Sequence, residues 1–179
     1  MFTKRALIAS TVAIGFLGAG AVATVAAADG DDPIRVRLSG YQEDPAPIST
    51  EAWGEFRMWV DDDHIRYRLR YAGLEGEVTQ AHIHFAGRHQ SGGISAWLCD
   101  TTHAPAPTTV DPPTCRPAGT VSGTIEPDDV VGPAAQGIEP GEFDELLDAI
   151  KAQTTYVNVH SLKYPAGELR SQLTFRNHR

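Results

Sequence analysis

From His64 to Tyr71 apolar and charged residues alternate without a break, and this run constrains the fold more than any other feature. Ile65, Tyr67, Leu69 and Tyr71 take one side of an extended backbone, and Arg66, Arg68 and Arg70 take the other. Successive side chains of a strand point to opposite faces, so one face suits a core and the other suits water. The same period returns along the chain. Ile34, Val36 and Leu38 show it, as do Gly54, Phe56, Met58 and Val60 within Trp53 to Val60. Val78 to Phe85, Ile94 to Cys99, Gly119 to Ile125, Thr155 to His160 and Glu168 to Phe175 are further candidate strands. One segment departs from the pattern. In Glu142 to Ala152, Phe143, Leu146, Leu147 and Ile150 recur at helical spacing behind Pro140 and Gly141. Seven or eight short strands and one amphipathic helix laid on a sheet predict an antiparallel β-sandwich or barrel.

The N-terminus reads as an address. Lys4 and Arg5 precede an uncharged apolar stretch from Ala6 to Val25, which ends in Ala26-Ala27-Ala28 before acidic residues. That is the pattern of a cleavable secretory signal, expected over residues 1–28. The stretch is also long enough for a membrane anchor, but its small-residue exit favours cleavage. Residues 29–33 form an acidic linker, and residues 34–176 are expected to make one domain. The expected location is secreted, periplasmic or otherwise extracytoplasmic.

Two cysteines, Cys99 and Cys115, would then meet an oxidising compartment, where a disulfide is the default. Such a bridge would close the Pro/Thr-rich stretch between them. Without Lys4 and Arg5, the 15 basic residues fall to 13 against 23 acidic ones, a net charge of −10. An acidic domain without a basic stripe argues against nucleic acid as a partner, and against a membrane surface once the signal is cleaved. The arginine row of residues 66–70 reads as a solvated sheet face. Asp61-Asp62-Asp63 reads as a solvated turn, with a calcium loop as the less favoured alternative.

Chemistry concentrates in histidines. In Gln80-Ala81-His82-Ile83-His84-Phe85, Ala81, Ile83 and Phe85 are expected to face the core. His82 and His84 then share the opposite, outward face, about 7 Å apart along the backbone. In Tyr156-Val157-Asn158-Val159-His160 the valines face the core and His160 points out. If the two strands are neighbours, His160 completes a set of three. Three neutral imidazoles suit zinc or copper. The plain alternative is that they are ordinary polar-face residues. No GxSxG, phosphate-loop, HExxH or dinucleotide-binding glycine pattern competes.

The chain resembles the CHRD domain family, named for its occurrence in chordin. The resemblance rests on Gly40-Tyr41-Gln42-Glu43, Ile65-Arg66-Tyr67, Tyr71-Ala72-Gly73-Leu74 and Ala81-His82-Ile83-His84. It continues through Leu146-Leu147-Asp148-Ala149-Ile150, Tyr156-Val157-Asn158-Val159-His160-Ser161 and Pro165-Ala166-Gly167-Glu168-Leu169-Arg170-Ser171-Gln172-Leu173. It implies an immunoglobulin-like β-sandwich. The HxH strand with a distant histidine is similar in layout to the copper site of Cu,Zn and copper-only superoxide dismutases. No separate zinc cluster is visible. The likeness implies one metal at His82, His84 and His160, with copper ahead of zinc. His89, in the loop Gly87 to Gly93, is a candidate fourth ligand. Glu168 is a candidate hydrogen-bond partner for a ligand imidazole, and Arg170 a candidate catalytic residue that attracts a small anion. Equally, these two pair with each other or with neighbours on the sheet. Two functions follow as expectations. One is a copper protein with superoxide-dismutase-like redox activity, whose partner is a small oxidant such as superoxide. The other is a non-enzymatic extracellular module that binds another protein, with a structural zinc or no metal.

Overall fold

The alternation resolves into two sheets in the structure, a computed structural model that describes residues 33–174. The expected signal segment, nearly all of the linker and the end of the chain lie outside the described residues. The strands are β1 (Ile34–Leu38), β2 (Trp53–Val60), β3 (Ile65–Ala72), β4 (Val78–Phe85), β5 (Ile94–Cys99), β6 (Gly119–Ile125), β7 (Thr155–Ser161) and β8 (Leu169–Gln172). Helix α1 (Phe143–Lys151) lies between β6 and β7. The first sheet has the order β1-β2-β3-β6 and the second β5-β4-β7-β8, all pairs antiparallel. The mainly β, sandwich-like class expected from the sequence is the one observed. The last strand is shorter than its pattern suggests, and Glu168 stands just ahead of it.

Each strand contributes its apolar side to one core. Phe56, Met58, Ile65, Leu69 and Tyr71 from the first sheet meet Ala81, Ile83, Leu98, Val157, Val159 and Leu169 from the second. Helix α1 adds Phe143, Leu146, Leu147 and Ile150, the stripe that its helical spacing placed on one side. Burying a large aliphatic or aromatic side chain is worth roughly 1.5–3 kcal/mol, so this shared layer fixes the faces of all eight strands. Tyr67 crosses between sheets, donating its hydroxyl to the Leu98 carbonyl at 2.7 Å.

Cys99 and Cys115 form the expected disulfide, with Cα atoms 4.9 Å apart. It ties the end of β5 to the irregular stretch that precedes β6. The first sheet leaves its outer face open, and that face is more basic than the acidic composition suggests. Arginines dispersed over β1, β2 and β3 share that face, so the domain does carry a basic stripe. The second sheet is different. Every residue of β7 and β8 is buried, on both faces.

Candidate metal centre

The covered outer face of the second sheet holds the histidines. β4 pairs with β7 so that Gln80 stands opposite His160 and His82 opposite Asn158. Same-face residues two positions apart then bring His160 diagonally beside His82. Trp97 of β5 lies on the other side of His82, and Arg170 of β8 lies beyond Asn158. A row of Trp97, His82, Asn158 and Arg170 thus crosses all four strands. A second row sets His84 beside Tyr156 and Gln172.

His82, His84 and His160 each offer a nitrogen, and the three lie within 4.8 Å of one another. His82 Nδ1 and His160 Nε2 are 3.2 Å apart. Two nitrogens bound about 2.0–2.1 Å from one ion at a tetrahedral angle stand about 3.3 Å apart. This pair is therefore already at ligand spacing. Two such bonds span at most roughly 4.2 Å, so nitrogens near the 4.8 Å limit of the group close inward around an ion.

The proton positions follow from the partners. His84 Nδ1 donates to the Gly92 carbonyl at 3.0 Å, and His160 Nδ1 donates to the Pro165 carbonyl at 3.0 Å. A carbonyl only accepts, so each ring carries its proton there and keeps a bare Nε2. Carbonyl partners of this kind fix ring orientation in metal sites. His160 Nε2 then accepts from His82 Nδ1, which leaves His82 Nε2 bare as well. The Nε2 atoms of His82 and His84 are buried without any hydrogen-bond partner. Orphaned buried lone pairs are uncommon and call for a partner. An ion satisfies this donor set; an ion held by His82 Nδ1 requires the proton shared with His160 to leave or to move to Nε2.

Burial decides the charge of the site. His82, His84 and His160 are 1%, 8% and 6% exposed. Loss of hydration, with the neighbouring imidazoles, holds His82 well below its usual pKa. Loss of hydration brings His84 and His160 down to about 4. All three rings are neutral at pH 7, the protonation state a metal requires.

The histidines point away from the core as expected, but they do not face solvent. The loop Gly87 to Gly93 covers them, held by Arg170 Nη2 on the carbonyls of Gly87 and Gln90 at 3.3 and 2.7 Å. Gln172 Nε2 adds a bond to the Ala86 carbonyl at 3.0 Å. The segment after β1 covers the adjoining patch, with Asn158 Nδ2 donating to Glu43 Oε1 at 2.8 Å. Ser91 Oγ joins the two covers by donating to Asp44 at 2.7 Å. Trp97 meets His82 edge-on at 4.2 Å between ring centroids. Its remaining surface borders a cleft lined by Tyr67, Pro112, Pro113 and Asp129.

The other expected site residues fall elsewhere. His89 is exposed on the covering loop and is not among the three grouped nitrogens. Glu168 makes no hydrogen bond to an imidazole. Its carboxylate accepts from Ser161 Oγ at 2.6 Å, from Thr50 Oγ1 at 3.0 Å and from the Glu75 amide at 2.8 Å. It pins two loops to the end of β7 instead, which is the neighbour-pairing alternative. Arg170 is 3% exposed and lies over the Tyr156 ring at 3.6 Å, so its charge is spent inside the protein rather than offered to an anion. His64 pairs with Asp61 and Asp63 at the surface, and His103 is exposed.

Three participants escaped the sequence reading. Tyr156 stacks on His84, with ring centroids 4.7 Å apart and planes 2° from parallel. Arg170 caps the far side, making a stack of three. Glu43 is buried beside Asn158, and loss of hydration pushes it up to about 7 against the pull of Asn158 and Arg170. Tyr156 and Glu43 both stand in blocks that carry the family resemblance, and that was the available signal. Trp97 had none. Among the described residues no second group of potential ligands occurs.

The CHRD domain model matches residues 34–173. No curated protein and no solved structure matches the chain.

Proposed function

The chain belongs to the CHRD domain family, and from that premise we propose that it is an exported protein holding one transition ion, copper ahead of zinc. The ligands in this reading are His82, His84 and His160. The observation that carries it is the convergence of three neutral imidazoles, two with buried and unpartnered nitrogens. The Cys99–Cys115 bridge supports an oxidising compartment, where structural disulfides persist. Copper there would supply one-electron chemistry towards a small oxidant such as superoxide by changing oxidation state.

The chain's own residues have defined tasks in this reading. The Gly92 and Pro165 carbonyls hold the Nδ1 protons and so present Nε2 to the centre. Tyr156 and Trp97 wall the site and keep water from the imidazoles. Arg170 ties down the covering loop, so a substrate reaches the centre only when that loop lifts.

The test is a titration of purified protein with Cu(II) and Zn(II), followed by metal analysis and copper spectroscopy. One ion per chain is expected, lost in His82→Ala with His84→Ala. No uptake by the parent protein, or equal uptake by the double variant, ends the reading. Superoxide decay no faster than with metal-free protein removes only the enzymatic part.

A second reading has its own observation, the cover itself. Closed sites typify structural metals, whereas catalytic sites keep a position open. The domain would then be a non-enzymatic extracellular module for an unidentified protein partner, with a structural zinc. Preferential retention of zinc, with a large drop in thermal midpoint on chelation and no redox activity, would favour it.

A further inference from the structure

The outer face of the first sheet gathers positive charge in a chain that is otherwise acidic. Arg35 and Arg37 on β1, Arg57 on β2, and Arg66, Arg68 and Arg70 on β3 all occupy its outward positions. They are six of the 15 Lys and Arg residues in a chain of net charge −8. The register puts Arg35 opposite Arg57 and Arg57 opposite Arg68, so three arginines stand in line across three strands. Neighbouring strands are about 4.8 Å apart, and like charges directly opposite destabilise a sheet. Few carboxylates relieve this. Among the described residues, Glu55 pairs with Arg57 at 2.6 Å and Asp61 approaches Arg66 at 3.5 Å. No carboxylate among the described residues makes an ion pair with Arg35, Arg37, Arg68 or Arg70.

Two tryptophans of β2 frame the face. Trp53, 45% exposed, carries the Arg70 guanidinium over its ring at 5.2 Å, and Trp59 carries that of Arg66 at 5.8 Å. Their six-residue separation spans roughly 20 Å of strand. The rings restrain two guanidinium groups beside them, which lowers the entropy lost on binding. The product is a narrow, rigid strip of planar cations, repeating about 7 Å along a strand and about 4.8 Å across.

We infer that this strip binds a linear acidic polysaccharide, whose carboxylate or sulfate groups seat on the arginine rows. Guanidinium groups match such oxyanions in bidentate fashion. A linear chain can follow the strip while avoiding the acidic remainder of the molecule, which an anionic membrane would meet and repel. Single-stranded nucleic acid binds through bases stacked on clear aromatic faces. Here Arg66 and Arg70 already occupy faces of both rings.

Heparin is the probe. The purified protein should be retained on immobilised heparin at low salt despite its net negative charge, and released as salt rises. Arg35→Gln with Arg68→Gln should weaken heparin at least tenfold by calorimetric titration. Its thermal midpoint should stay equal or rise, because stacked like charges are removed. Arg70→Gln alone, which leaves the three-arginine row intact, should weaken heparin less and melt as the parent does. Failure of the parent to bind, unchanged affinity in the double variant, or a fall in its thermal midpoint would overturn the inference. So would tighter binding to polyuridylate or to phosphatidylserine vesicles than to heparin. Chelator should leave heparin affinity unchanged, so this result stands or falls apart from the metal reading.

Discussion

The two sheets present the same sequence rhythm and opposite surroundings. In β3, Arg66, Arg68 and Arg70 alternate with buried apolar residues and lie in water. In β4, His82 and His84 alternate with Ala81 and Ile83 in the same way, yet they are buried. Both strands give one face to the common core. They differ in what lies over the other face: solvent in the first sheet, two loops in the second. A period of two therefore assigns faces but not exposure. Polar side chains on a covered face must find partners inside the protein, because burying them unpaired costs roughly 1–3 kcal/mol each. Asn158, Glu168, Arg170, His84 and His160 all find them. The nitrogens left over are those of the candidate metal centre.

The sharpest way to break this comparison is to truncate one outward arginine from each sheet. Arg170→Ala removes the hydrogen bonds to the Gly87 and Gln90 carbonyls and the cation over Tyr156. Charged hydrogen bonds of this kind contribute about 1.5–3 kcal/mol, and a desolvated cation–π contact about 2. The expected loss is about 3–4 kcal/mol in urea denaturation. Arg68→Ala, on the open face, should stay within about 0.5 kcal/mol of the parent. Similar losses in both would mean that the loop does not cover the second sheet in solution.

Acid probes the same difference. A histidine whose folded pKa lies below its unfolded value near 6.5 destabilises the native state as pH falls between the two. His84 and His160, at about 4, each remove about 1.4 kcal/mol per pH unit over that window. His82 acts in the same direction. Glu43 opposes them. Its folded pKa of about 7 lies above its ordinary 4.5, so its contribution is complete below 4.5 and is lost as pH rises through 7. Counting His84 and His160 against Glu43, the metal-free protein should lose about 2 kcal/mol between pH 6.5 and 4.5, and His82 adds to that loss. Thermal melts across that range provide the check. If stability is flat, the histidines are not desolvated. Bound metal should steepen the loss, because protons and the ion compete for the same nitrogens.

Two glycines sharpen the contrast at smaller scale. Both have positive φ, +131° at Gly167 beside the second sheet and +112° at Gly119 at the start of β6. A Cβ on Gly119 meets nothing within 4 Å, whereas one on Gly167 would lie 2.5 Å from the Asn158 side chain. Gly119→Ala should cost about 1 kcal/mol, from backbone strain alone. Gly167→Ala should cost about 2 kcal/mol more and weaken metal binding, because it sits two residues from the Pro165 carbonyl that orients His160. Equal costs would show that Asn158 moves aside freely.

The sequence exposed what periodicity can carry. Strand positions, the helical stripe of Phe143, Leu146, Leu147 and Ile150, and the shared face of His82 and His84 all follow from spacing. The cover does not. Residues 39–50 and 86–93 have no period, and their placement depends on side chains such as Arg170 and Asn158 reaching backwards across 80 and 115 residues. Glu168 and Arg170 share an outward face only if the last strand already runs through Glu168, and it starts at Leu169. The chain turns at Gly167, and Glu168 meets donors from β7 and two loops instead. Tyr156 was legible only as part of a motif, because its stacking on His84 depends on how β4 pairs with β7.

Tyr156 gives the smallest expected effect and the finest division of the covered face. Its ring lies between His84 and Arg170, while its hydroxyl accepts from the Gly92 amide at a long 3.4 Å. Tyr156→Phe removes only that weak bond, so stability should fall by less than about 1 kcal/mol. Copper affinity should stay within about threefold. Tyr156→Leu keeps an apolar filler but removes the π face that holds Arg170 and aligns His84. It should cost a further 1–2 kcal/mol or so. Copper affinity should fall about tenfold, as when a group that orients a ligand is lost. Competition titration against a chelator of known affinity, run on both variants, separates ring from hydroxyl. If Tyr156→Phe weakens copper as much as Tyr156→Leu, the hydroxyl positions His84 through Gly92, and the loop rather than the stack sets the ligand.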